Sequence, residues 1–191
     1  MVDLLSLPEV SIRTLPKVRK VAISDIRRAP GSGLEARMVS TRTQTFNNIL
    51  QEFADDPEIV ESFFGKAAEI AFDGEPDSPR KNMMRFAHEY HTGGTNAIFK
   101  DPNFDEWGVP IRIGLSTSAG RTEYATASMY GVYQAKREES GRVGFDGIAK
   151  VITNGSEEVL VPVKVYPGQY EPTVWLDTER ILSEEKFVTD K

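Results

Sequence analysis

Histidine is the side chain most often recruited for acid–base and metal chemistry, and this chain holds two, His88 and His91, with Glu89 between them. A spacing of three places both on one helical face, where they could hold a divalent metal together with a remote carboxylate. Two imidazoles fall short of a ligand set, and His-x-x-His is not the His-Glu-x-x-His arrangement of zinc proteases. Near a helix C-terminus the dipole accounts for such side chains, so no metal site is expected. Gly93-Gly94-Thr95 follows a helical pattern instead of preceding one and lacks the Lys-Ser/Thr of a phosphate loop. Gly141-Arg142-Val143-Gly144 reads as turn chemistry between strands. Neither histidine lies near a Gly-x-Ser-x-Gly elbow, so no Ser-His-Asp triad is expected. The acidic pairs Glu138-Glu139 and Glu157-Glu158 follow polar or turn segments, where hydration explains them. The absence of cysteine removes disulfides, thiolate nucleophiles and Cys-type metal sites together.

One further combination can carry chemistry. Ser116-Thr117-Ser118 ends an apolar alternating strand, and Glu158 opens the strand Glu-Val-Leu-Val-Pro further on. This pair of strings resembles the mono-ADP-ribosyltransferase pattern, in which an Arg, a Ser-Thr-Ser strand and a Glu-x-Glu surround NAD. The resemblance implies Ser116 on the nicotinamide-ribose side, with Glu158 stabilising an oxocarbenium-like transition state and orienting the acceptor. The chain departs from the pattern at Ser156, which stands where the first Glu belongs. It also lacks an Arg on an early strand; Arg85, the nearest, lies in a helical pattern.

The elements that would position these residues follow from periodicity. Residues 1–39 read as an extended basic arm: Val10, Ile12 and Thr14 alternate with polar neighbours, prolines punctuate, and Ala29-Pro30-Gly31-Ser32-Gly33 is a loop. Such a stretch buries too little to fold alone and must lie along the body or along another subunit. A single α+β domain is expected over 40–176, with helices in 40–92 and a mainly antiparallel β-sheet in 109–176. Ser40 or Thr41 caps the first of three helices, whose Phe46, Ile49, Leu50 and Phe53 share a face. Asp56-Pro57-Glu58 opens the second, and Ser78-Pro79 the third, with Met83, Phe86, Ala87 and Tyr90 on one side. From Val109 the period becomes two. Ile111, Ile113 and Leu115 alternate, Thr122–Gln134 can be strand on either face, and Val143 to Val151 and Val159 to Val165 flank Asn154-Gly155. That dipeptide predicts a type I′ hairpin with positive φ at both residues, so that Gly155→Val destabilises by about 1 kcal/mol or more. Pro162 places its strand at an edge or turns the missing N–H away from the ladder. A last strand, Thr173 to Leu176, precedes a helix or tail over 177–191.

Composition bounds the function. With 191 residues, 39% hydrophobic and 27% charged, the chain falls among globular proteins with a real core. No apolar run spans a bilayer. The first residues lack a basic region before the apolar part and a small-residue cleavage site, so a reducing compartment, the cytoplasm or an assembled particle, is expected. Residues 1–45 carry eight basic and four acidic side chains, and the rest 15 and 25, so a leading segment of net charge +4 precedes a remainder of −10. No aromatic residue precedes Phe46, so the arm offers no stacking platform for bases, and nucleic acid is not favoured. A basic arm on an acidic body instead suits docking between copies. Arg13, Lys17, Arg19, Lys20, Arg27 and Arg28 are its candidate interface residues. The expectation is a non-enzymatic structural subunit of a multi-subunit assembly, such as a virus or phage particle component at the neck, tail or capsid, joined by arm exchange and β-edge contacts, without a cofactor. A protein-binding module is the alternative beside the transferase-like enzyme, with Trp107, Tyr130, Tyr133 and Trp175 as its candidate surface.

Overall fold

A computed structural model describes residues 17–18, 21–29, 39–55, 86, 108–116 and 122–179. In chain order these form β1 (Lys17–Val18), a 3₁₀ turn (Ile23–Asp25), α1 (Thr41–Asp55), β2 (Val109–Ser116), β3 (Thr122–Arg137), β4 (Val143–Ile152), β5 (Glu158–Tyr166) and β6 (Thr173–Leu176). The segments expected to form the second and third helices lie outside the described residues, except Phe86, which is fully buried. The same holds for the tail beyond Glu179.

Strands β2 to β5 run as an antiparallel meander, β6 pairs antiparallel with β5, and β6 then returns to pair parallel with β2. The sheet is therefore closed on itself as a five-stranded barrel. An odd number of up-and-down strands forces one parallel pair, and the β2–β6 junction is that pair. The sequence pattern predicts the alternation but not the closure. Closure covers only part of each edge: β6 pairs with β5 at Val163–Tyr166 and with β2 at Ile113 and Gly114, which leaves the first half of β5 able to take a further strand.

Alternation decides which residues fill the barrel. Ile111, Ile113 and Leu115 of β2 point inward with Ala125, Ala127 and Met129 of β3, their neighbours across the ladder, and all are buried. From β4 and β5, Phe145 faces Val165, Ala149 faces Val161 and Val151 faces Val159 in the same interior layer. β3 is 16 residues long because it serves both neighbours in turn: its first half pairs with β2 and its second half with β4. Register shifts at Met129/Gly131 and Val132/Gln134 bend it between these tasks, as bulges do at barrel corners. Gly131 sits at the bend, where the Phe86 ring lies 2.5 Å from the position a Cβ would take.

Pro162 behaves as its chemistry requires. It stands opposite Ile148 of β4, while its carbonyl accepts from the Asp177 N–H on the other side of the strand. N and O of one strand residue point the same way, so the missing N–H faces away from β4 and costs that ladder no bond.

The β3–β4 and β4–β5 turns share one geometry, and it is not the expected type I′. Gly141 N–H bonds to the Glu138 carbonyl, and Ser156 N–H to the Thr153 carbonyl, each closing a four-residue turn. The positive φ falls on the residue that ends the turn, +87° at Gly141 and +64° at Ser156. Asn154 and Gly155 have no positive φ, and a Cβ on Gly155 would meet only Thr153 Oγ1, at 3.9 Å. The Asn-Gly hairpin is present, but as a three-residue loop whose last residue is left-handed. The forecast for Gly155→Val is overturned accordingly, because the strained position is Ser156. Ser156→Gly should stabilise the protein by about 0.5–1 kcal/mol in denaturant melts, offset in part by loss of a surface bond to Arg27.

The end of β5 folds back on the β3–β4 turn. Tyr166 Oη donates to the Glu138 carboxylate, and the Arg142 guanidinium lies 3.9 Å from the ring centroid. Burial, then the bond to Glu138, pushes the phenol from 10.0 up to about 12. A raised folded-state value means that the neutral phenol stabilises the fold below pH 10 and that this contribution disappears as pH rises toward 12. Stability of the wild type should therefore fall more steeply across pH 10–12 than that of Tyr166→Phe, measured by urea melts at fixed pH.

Helix α1 begins at a serine cap. Ser40 Oγ accepts from Thr43 N–H at 3.1 Å and shares a hydrogen bond with Thr43 Oγ1, which donates to the Pro110 carbonyl of β2 at 2.7 Å. The cap thus ties the helix to the barrel as well as starting it. Phe46, Ile49, Leu50 and Phe53 are buried as their spacing predicts, and Thr43 and Asn47 are buried beside them.

The described part of the arm lies on its own barrel. β1 adds parallel to β5, with Lys17 opposite Val159 and Val18 opposite Leu160. The chain then crosses one barrel end: Val21 and Ile26 join the core, Asp25 O accepts from Asn154 N–H, Arg27 N–H bonds to Ile152 O, and Ala29 N–H to Tyr124 O.

Candidate functional site

Barrel alternation sets the outer face of β2 as well as the inner one. Between inward Ile111 and Ile113, Arg112 points out, opposite Thr126 of β3. Gly114, the next outward position, stands opposite Tyr124 on one side and Trp175 of β6 on the other. Gly114 has no side chain, so the indole of Trp175 lies against it, 2.7 Å from where a Cβ would be. Any larger residue at 114 would lift the ring away.

The third wall is the β5–β6 connection. Asn47 of α1 holds both polar atoms of one residue there: its Nδ2 donates to Gly168 O and its Oδ1 accepts from Gly168 N–H, each at 3.0 Å. Gln51, one helical turn on, donates to the same carbonyl. A Cβ at Gly168 would run into the Glu171 carbonyl. The pinned loop carries Gln169, Tyr170 and Glu171, and Tyr170 is 69% exposed.

Between β2, β6 and this loop lies a cleft of about 500 Å³, lined by Arg112, Tyr124, Tyr170, Glu171, Trp175 and their neighbours. A second hollow of about 160 Å³ opens beside it toward the start of α1, and Val39, Arg112 and Glu171 border both. Arg112 Nη1 is buried and has no hydrogen-bond partner among the described residues. The arrangement offers one positive donor, one carboxylate and three aromatic rings, and it suits holding a ligand more than breaking a bond. Among the described residues no group of three or more His, Asp or Glu could hold a metal, and no helix is long and apolar enough to cross a membrane.

The residues singled out from sequence are dispersed. Ser116 ends β2 opposite Thr122, while Thr117 and Ser118 lie outside the described residues. Glu158 starts β5, pairs with Lys150 at 3.4 Å on the barrel surface, and borders neither cleft. β2 and β5 are not neighbours in the sheet; β6 runs between them. Arg13, Arg19 and Lys20 lie outside the described residues, as do His88, His91, Arg85 and Trp107. Lys17 belongs to β1. Arg27 and Arg28, expected to face a neighbour, are engaged within their own chain. Arg27 donates to Ser156 Oγ at 2.6 Å, and Arg28 binds Glu123 at 2.6 Å and the carbonyls of Ile23 and Ile26 at 2.8 and 2.5 Å. Arg28 thereby secures the 3₁₀ turn to the barrel end. Tyr130 and Tyr133 are buried, whereas Trp175 lines the cleft.

Arg112 escapes sequence reasoning because an Arg between two inward isoleucines is what any half-exposed strand shows. Its meeting with Trp175 depends on the parallel closing pair, for which no local signal exists. No protein-family model matches the chain, and no curated protein or solved structure shows significant similarity to it, so the site stands on its own geometry.

Proposed function

We infer that the protein is a non-enzymatic structural subunit that joins a larger assembly by exchanging its N-terminal segment. Within that class, we assign it to virus or phage particle components of the neck, tail or capsid-associated kind. The observation that carries the assignment is β1, a sixth strand added outside a barrel that is already closed without it. A strand added to an edge through main-chain bonds is held equally well whichever copy supplies it. Among the described residues of the segment, Val21 and Ile26 are the ones in the buried core, and the barrel interior is filled by residues of β2 to β5. Charge permits the same event, since a basic arm that leaves one acidic body meets an identical one on the neighbouring copy.

A crosslink distinguishes exchange from self-docking. Val18 and Leu160 are register partners on adjacent strands, about 4.8 Å apart at Cα and within disulfide range. The chain has no cysteine of its own. Oxidised Val18→Cys/Leu160→Cys protein should run as covalent dimers or a ladder on non-reducing gels, and light scattering of the wild type should show an oligomer. A closed covalent monomer, together with a monodisperse wild-type monomer at every concentration, would refute arm exchange.

A further inference from the structure

We propose that the cleft beside Arg112 binds a small aromatic carboxylate, its carboxylate accepting from the guanidinium and its ring lying among Tyr124, Tyr170 and Trp175. A buried N–H without an acceptor is costly to the folded state, by about as much as a hydrogen bond to a charged group contributes. Arg112 Nη1 is in that condition at the border of both hollows. An incoming carboxylate supplies the missing acceptor and meets the donor where water is excluded, which strengthens the bond.

Size and charge narrow the ligand. A volume of about 500 Å³ is that of a small-molecule site. Among the described residues, the charged ones lining it are Arg112 and Glu171, one of each sign. A monoanion pairs with Arg112 against a single like charge at Glu171, and a dianionic phosphate would double that repulsion. The aromatic walls are fixed before any ligand arrives: Trp175 rests against Gly114, and Asn47 and Gln51 hold the loop that carries Tyr170. An extended peptide is disfavoured as the occupant. Beside the indole, Gly114 of β2 is paired by Tyr124 and Trp175, and Trp175 of β6 by Gly114 and Lys164, so the main chain there is not open to an added strand.

The test is isothermal titration of the full-length protein with 2-naphthoate, 2-naphthamide and 2-naphthyl phosphate. 2-Naphthoate should bind at least tenfold more tightly than either of the others. Arg112→Met should weaken it at least tenfold while melting at or above the wild-type temperature, since a buried N–H without an acceptor has been removed. Tyr170→Ala, at an exposed position where folding is not at stake, should weaken it severalfold. Each of four results would overturn the proposal: no binding of 2-naphthoate at millimolar concentration, equal binding of acid and amide, unaltered binding by Arg112→Met, or binding of a tetrapeptide with a free C-terminus in place of 2-naphthoate.

Discussion

Phe145→Ala should destabilise the protein by about 3–5 kcal/mol and lower its melting temperature by roughly 10 °C. Phe145 is fully buried in the barrel interior, where its cross-strand neighbours are Val165 of β5 and Ala135 of β3. Truncation removes the transfer free energy of the ring and leaves a cavity whose walls cannot close in. A five-stranded barrel is held at fixed circumference by its hydrogen bonds, so strands on opposite sides cannot approach to refill the space. Phe145→Leu retains most of the volume and should cost less than half as much. Urea melts of the two variants measure the difference, and a cost below about 1.5 kcal/mol for Phe145→Ala would show that the interior is not packed as described.

Asn47→Ala should cost about 2–3 kcal/mol, more than an average helix substitution, because it removes two hydrogen bonds and leaves one backbone N–H without a partner. The Asn47 side chain is fully buried and answers both the N–H and the carbonyl of Gly168. Gln51 still reaches the carbonyl, so the N–H is the orphan. Asn47→Asp is the sharper comparison: it retains shape and the acceptor for the Gly168 N–H, but it replaces the donor to the carbonyl with a second acceptor. It should be at least as damaging as alanine at neutral pH. Amide exchange at Gly168 should quicken in both variants, since the loop is fastened to the helix there. The same loop forms one wall of the Arg112 cleft, so both variants should also loosen Tyr170 and Glu171.

These two sites mark how far a linear chain discloses its own structure. Phe145 could be named as core from alternation alone, and so could Ile111, Ile113, Val161 and the helical set Phe46, Ile49, Leu50 and Phe53. Asn47 could not. A buried asparagine on an apolar helical face has no local signature, and its partner lies in a loop far along the chain. The hairpin at Asn154-Gly155 was legible as a turn but not as to type. Turn type depends on how many residues the loop holds between its last ladder pairs, and the loop ends at Ser156, one residue beyond the dipeptide.

Residue order alone determined the period of α1 and of the strands, a cap at Ser40 or Thr41, and the inward faces of β2, β4 and β5. These depend on backbone geometry and neighbours a few positions away. Tertiary structure decided the rest: that the sheet closes, that β6 meets β2 in parallel, that β1 adds to β5, and that Arg112, Tyr124 and Trp175 surround one cleft while Ser116 and Glu158 sit on strands that are not paired. Closure depends on the accumulated twist and bulges of the whole sheet, and no segment of the chain encodes such a sum locally.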